Sequence, residues 1–156
     1  MKKKKPFEPD TDYVKVHRAI HRLYTRIPDF TAEHASMYVV LMDYYRSEYG
    51  YAYPTKWDLA HDLHCGENKP SQLAKVLERC GLIKVQSGGP GRNDRYYVYA
   101  PITDEREFYA RFPEALEYYE KRKAGFEKRR ARHRKQDGQN DAAGEPDGTP
   151  ITAADL

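Results

Sequence analysis

The chain has 156 residues, 39% hydrophobic and 33% charged, which suits one compact domain of about 100 residues with appendages and leaves no need for a second. Its net charge of +3 conceals segregation: four lysines at residues 2–5 and nine Lys/Arg against Glu127 over 121–135 flank a body, residues 6–120, of net −4, so any phosphate-binding site must be a local patch. No apolar run is long enough to span a bilayer and none follows Lys2–Lys5 as a signal peptide would, so a soluble cytoplasmic protein with no membrane role is expected.

Residues 1–10 read as a flexible basic N-terminus. Tyr13-Val14-Lys15-Val16 alternates like a strand, and Ile20, Leu23 and Tyr24 then take helical spacing until Pro28 stops the run. Asp29 or Thr31 caps a first core helix over 31–49, with Met37, Tyr38, Leu41, Tyr44 and Tyr45 as its apolar stripe and Gly50 as its left-handed C-terminal cap. Thr55 opens a second helix through an acidic variant of the capping box: it accepts from the Asp58 amide while Asp58 reaches back, and Leu59, Ala60 and Leu63 form the buried side. After the turn His64-Cys65-Gly66-Glu67, Asn68 caps a third helix whose core face is Leu73, Ala74, Val76, Leu77 and Cys80, ending at Gly81. On its other side Gln72, Lys75 and Arg79 stand at i, i+3 and i+7 and point together. Cys65 and Cys80 sit at helix ends and read as small buried apolar residues, with a disulfide as the lesser alternative.

Past Gly81 the apolar period becomes two. Leu82-Ile83-Lys84-Val85 and Tyr96-Tyr97-Val98-Tyr99 are strands joined by the exposed loop Ser87-Gly88-Gly89-Pro90-Gly91-Arg92 and its continuation Asn93-Asp94-Arg95. Helix, turn, helix, strand, basic glycine-rich loop, strand is the order of a winged helix, an α+β fold with a three-helix core and a β-hairpin wing, here assigned to residues 11–102. A C-terminal helical, basic extension follows over 103–135, where Phe108, Phe112, Leu116 and Tyr119 share a spacing that Pro113 kinks unless a new helix starts there. Residues 136–156, rich in Gly, Asp and Ala and carrying five acidic residues without Lys or Arg, read as a disordered acidic tail.

The runs Gly50-Tyr51-Ala52-Tyr53-Pro54-Thr55, Asp58-Leu59-Ala60, Leu77-Glu78-Arg79-Cys80-Gly81-Leu82-Ile83 and Gly91-Arg92-Asn93-Asp94-Arg95-Tyr96-Tyr97 resemble the winged helix-turn-helix domains of plasmid and phage replication initiators and replisome organisers from Gram-positive bacteria. The resemblance covers about residues 13–100 and implies double-stranded DNA as partner and replication initiation or replisome organisation as role. The same domain serves transcriptional repressors, the first alternative. A protein-interaction module, whose hairpin and tyrosine-rich face contact replication or host factors, is the alternative from another class. The chain departs from the family where the recognition helix opens: Glu67-Asn68-Lys69-Pro70-Ser71-Gln72 replaces the usual Ser/Thr-rich, β-branched start, so the sequence read is not transferable.

If the third helix enters the major groove, Gln72 faces adenine, Lys75 or Arg79 guanine or phosphate, and Ser71 with the helix N-terminal amides takes phosphate. Lys69 adds charge, and Arg92, Asn93 and Arg95 reach the backbone or minor groove. From Asn68 to Tyr97 six basic residues (these five and Lys84) face only Glu78 and Asp94. The run Lys121, Arg122, Lys123, Lys128, Arg129, Arg130, Arg132, Arg134 and Lys135 reads as a nonspecific DNA arm, a solvated helix or a partner-binding segment. The Phe108–Tyr119 stripe packs on its own core or on a second copy, leaving a homodimer open, with other replication proteins as further candidate partners. His17/His21 and His61/Cys65 have i, i+4 spacing, but no Cys-x-x-Cys, His-Glu-x-x-His, phosphate loop or nucleophile elbow accompanies them, so neither enzyme, metal nor cofactor is expected.

Overall fold

The computed structural model describes residues 2–138, which carry six α-helices and one four-stranded antiparallel sheet, an α+β architecture. The chain divides into two units, Met1–Tyr119 and Glu120–Leu156.

In the first unit, α1 (Ala19–Arg22) and a 3-10 turn (Tyr24–Arg26) bury Ile20, Leu23, Tyr24 and Ile27. Tyr13–Val16, expected as a strand, forms none. Val14 and Val16 alternate as half-buried residues with exposed Tyr13 and Lys15, so the period of two arises without a hydrogen-bonded partner. Helix α2 (Ala32–Tyr44) follows Thr31, whose backbone N–H donates to His34 Nδ1 at 2.9 Å, an imidazole taking the place usually held by Glu or Gln. It buries His34, Met37, Tyr38 and Leu41. The helix stops five residues short of the expected 49, because Tyr45 becomes extended (φ −63°, ψ 130°) and β1 (Tyr45–Arg46) pairs with β2 (Tyr51–Ala52). Gly50, at φ +76°, therefore serves this hairpin turn and not a helix cap.

Helix α3 (Lys56–Asp62) begins with the reciprocal box read from the sequence: the Asp58 N–H donates to Thr55 Oγ1 at 3.0 Å and the Thr55 N–H to Asp58 Oδ2 at 2.9 Å. Helix α4 (Lys69–Arg79) buries Pro70, Leu73, Ala74 and Leu77. Asn68 does not cap it by its side chain; its backbone is helical (φ −90°, ψ −15°), and Pro70 removes one of the amides an N-cap would satisfy. At the other end Gly81 adopts φ +75°, and the Leu82 N–H to Leu77 carbonyl and Gly81 N–H to Glu78 carbonyl bonds, both 3.0 Å, complete a Schellman motif.

Strands β3 (Ile83–Gln86) and β4 (Arg95–Val98) pair from Ile83↔Val98 to Gln86↔Arg95, and Ala52↔Tyr96 joins them to β2, giving the order β1-β2-β4-β3. Ala52, Ile83 and Tyr96 point inward onto the helices. Asp104 caps α5 (Glu105–Arg111) through the Glu107 N–H at 2.9 Å. Phe108 is fully buried, its ring 5.1 Å from Tyr24 and 5.2 Å from Phe112. Arg26 reaches Glu105 and the Tyr109 hydroxyl, and the Ile102 N–H donates to the Tyr24 hydroxyl at 3.0 Å. The compact unit thus continues to Tyr119, past the expected boundary at 102.

Pro113 starts a new helix, α6 (Pro113–Asp137), and so resets the phase: Ala115 is buried while Leu116 turns outward, and Phe108–Tyr119 is not one continuous stripe. In the second unit α6 runs on through Asp137, two residues past the expected end, with no buried side chain. The expected disordered tail lies, from residue 139, outside the described residues.

Candidate nucleic-acid interface

Helix α4 is amphipathic by necessity: Pro70, Leu73, Ala74 and Leu77 face the core, so Ser71, Gln72, Lys75 and Arg79 are left in solvent. The cations among the expected contact residues are not equivalent. Lys69 Nζ lies 3.3 Å from Glu33 Oε2, and Arg79 pairs with Asp29, so both ends of the helix are tied to carboxylates around the start of α2. Ser71 Oγ donates to the Asn68 carbonyl at 3.1 Å. Lys75 forms no ion pair among the described residues, and Gln72 is exposed beside it. The uncommitted surface of α4 is therefore its middle.

The loop from Ser87 to Asp94 is held by hydrogen bonds within itself. The Gly88 N–H donates to Asp94 Oδ1 at 3.4 Å, the Arg92 N–H to the Gly89 carbonyl at 3.1 Å, and a Cβ on Gly88 would run into the Asn93 carbonyl oxygen. Only glycine permits this close approach. Arg92 is exposed at the tip and Asn93 half-buried, while Arg95, at the start of β4, lies over the Tyr51 ring at 5.0 Å. Glu78 turns from α4 to accept the Val85 N–H at 2.7 Å, which satisfies an edge-strand donor and removes that carboxylate from competition with Lys75.

One group lies outside the expected DNA contacts. Tyr49, Tyr51, Tyr53 and Tyr97 form a chain of ring contacts, Tyr49 against Tyr51 at 5.8 Å, Tyr51 against Tyr53 at 6.2 Å and against Tyr97 at 5.7 Å. The alternation Tyr49-x-Tyr51-x-Tyr53 is its signal in the sequence, masked because the helical pattern of 31–49 with Gly50 as its cap takes in Tyr49 and gives no sign of β1.

In the second unit, Lys121, Arg122, Lys123, Lys128, Arg129, Arg130, Arg132, Arg134 and Lys135 are all exposed on one helix, with Phe126 between Arg122 and Arg129 at 5.4 and 5.3 Å. Lysine and arginine in the last turn also suit the helix dipole.

Cys65 and Cys80 are free, and burial pushes the Cys80 thiol up to about 11, the state of a packing residue and not of a nucleophile. His61, His64 and Cys65 line an open depression beside Trp57. Among the described residues no cluster of His, Cys, Asp and Glu could hold a metal ion, and no helix is long and apolar enough to cross a membrane.

No family model and no curated protein matches the chain. Among solved structures it is similar to a chain described as "N-Terminal domain of DNA binding protein", at 17% identity and a TM-score of 0.48 over 69% of this chain and 92% of that one. It is also similar to a chain from "Structure of Rep-DNA complex", at 19% identity and a TM-score of 0.49 over 64% of this chain and 83% of that one.

Proposed function

We propose that the chain is a double-stranded DNA-binding protein of winged-helix type that acts by binding, in the cytoplasm, without catalysis. Helix α4 is its recognition helix and residues 87–94 its wing. The observation that carries this reading is the middle of α4: Gln72 and Lys75 stand exposed and uncommitted on a helix whose opposite face is buried, and a loop bearing exposed Arg92 follows the next strand. Gln72 suits adenine and Lys75 guanine or phosphate, while Arg92 and Arg95 suit the backbone or minor groove. Lys69 and Arg79 contribute less, since each must first leave a carboxylate.

Replication initiation or replisome organisation on a plasmid or phage element is the role that the Tyr53-Pro54-Thr55, Gly81-Leu82-Ile83 and Gly91-Arg92-Asn93 motifs imply. The exposed cations of α6 act as a sequence-independent arm. A salt titration of duplex binding tests the reading: Lys75→Ala and Arg92→Ala each weaken binding and flatten the salt dependence by about one phosphate. Full affinity in both variants would sink the assignment. Mapping occupied sites in cells then separates origin binding from promoter binding.

A further inference from the structure

We propose that the outer face of the four-stranded sheet is a stacking platform for single-stranded DNA, distinct from the α4 surface and sharing only Arg95 with the duplex-binding residues. The strand register places it. Arg46 pairs with Tyr51 across β1 and β2, Ala52 pairs with Tyr96 across β2 and β4 and so sets Tyr51 beside Tyr97, and Tyr97 pairs with Lys84 across β4 and β3. Because cross-strand partners share a face, Arg46, Tyr51, Tyr97 and Lys84 form one row across all four strands, about 14 Å long at the usual strand spacing. Ala52 and Tyr96 are buried on the core side, which fixes the row as outward. Arg95 sits over Tyr51 from the same face, and Gln86 beside it accepts from the Tyr97 hydroxyl at 3.1 Å.

The charge of this face is one-sided. No outward strand position carries a carboxylate, and of the neighbouring acids Glu78 is taken by the Val85 N–H and Asp94 by the Gly88 N–H, leaving Glu48 in the β1–β2 turn. Cross-strand packing within the sheet accounts for the Tyr51–Tyr97 pair. It does not account for Tyr49, 63% exposed, or Tyr53, 44% exposed, which extend the ring cluster into solvent. Rings interleaved with arginine and lysine match an occupant that offers both flat aromatic faces and regularly spaced negative charge. A duplex hides its base faces in the stack, whereas a single strand presents both. The choice of DNA over RNA rests on the duplex-binding reading above.

The test is fluorescence anisotropy on the full chain with four labelled probes: a thymidine strand of about 12 nucleotides, within the range that such platforms cover, an abasic strand with the same phosphates, a uridine strand of the same length, and a duplex. The thymidine strand should bind about tenfold tighter than the abasic strand, since stacking supplies the difference. Arg46, Lys84 and Arg95 should contribute about −2 to its salt slope, beside the term from the α6 arm. Tyr49→Ala and Arg46→Ala, both at exposed positions, should each weaken thymidine-strand binding about five- to tenfold and leave duplex affinity unchanged. Lys75→Ala should do the reverse, so that failure of the duplex reading and failure of this one are separately visible. Equal binding of abasic and thymidine strands, or unchanged affinity in both Tyr49→Ala and Arg46→Ala, overturns the proposal; tighter binding of a uridine strand overturns its assignment to DNA.

Discussion

Asp29→Asn should make this protein a stronger DNA binder with a steeper salt dependence. In the folded chain Arg79 is paired with Asp29, and both side chains are about half exposed, at 59% and 49%. An exposed pair of this kind is worth about 0–1 kcal/mol, so its removal should cost little stability. Its effect on duplex binding is larger. Lys75, Arg92 and Arg95 as phosphate partners contribute about −2.7 to the slope of log affinity on log salt, at about −0.9 per phosphate, beside a term from the α6 arm that the native chain and the variant share. Freeing Arg79 adds a further partner and brings this contribution to about −3.6. Between roughly 50 and 200 mM salt the variant should therefore lose about 3.5-fold more affinity than the native chain, from a tighter starting point. Anisotropy titrations on one duplex at several salt concentrations measure this directly. Arg79→Ala in the Asp29→Asn background should return the slope to its native value, closing a double-mutant cycle. A slope unchanged by Asp29→Asn, or a lower affinity at low salt, would show that Arg79 does not face the DNA.

Phe108→Ala should destabilise the chain by about 3–5 kcal/mol in urea unfolding, because a fully buried ring is removed from contact with Tyr24 and Phe112; a loss below about 1 kcal/mol would mean that α5 is an appendage. Thr55→Ala should cost about 1 kcal/mol and Asp58→Ala a similar amount, with the double variant costing less than their sum since each is the other's capping partner; full additivity would contradict reciprocal capping. Burial holds the His34 imidazole below its usual range, against the opposing pull of Asp29 and Glu33. The unfolded chain then takes up a proton below about pH 6.5 that the folded chain refuses. Stability from His34 is accordingly complete above that pH and is lost as pH falls through the window beneath it. His34→Gln keeps an acceptor for the Thr31 N–H and cannot titrate, so its melting temperature relative to the native chain should rise as pH falls from 7 to 5; a constant difference would remove His34 as the source.

Local signals were legible wherever a few adjacent residues close their own hydrogen bonds. The Thr55/Asp58 box and the Gly81 termination of α4 were both readable, since each is completed within six residues. The same logic failed at Asn68, where Pro70 competes for the first turn, and at Gly50, where a left-handed glycine serves a hairpin as readily as a helix end. Tyr13–Val16 had the period of a strand without the partner that makes one.

By itself the sequence determined the order of the α3, α4, β3 and β4 elements, the amphipathic split of α4 and the segregation of charge toward residues 121–135, because these depend on periodicity, caps and composition. Only the tertiary structure decided which cations are available. Lys69 and Arg79 are matched to Glu33 and Asp29 from α2 and the loop before it, a pairing between residues 36 and 50 positions apart that no local pattern encodes. The same holds for the outward row Arg46, Tyr51, Tyr97 and Lys84: strand pairing brings together side chains from four separate segments, and register alone determines that they share a face.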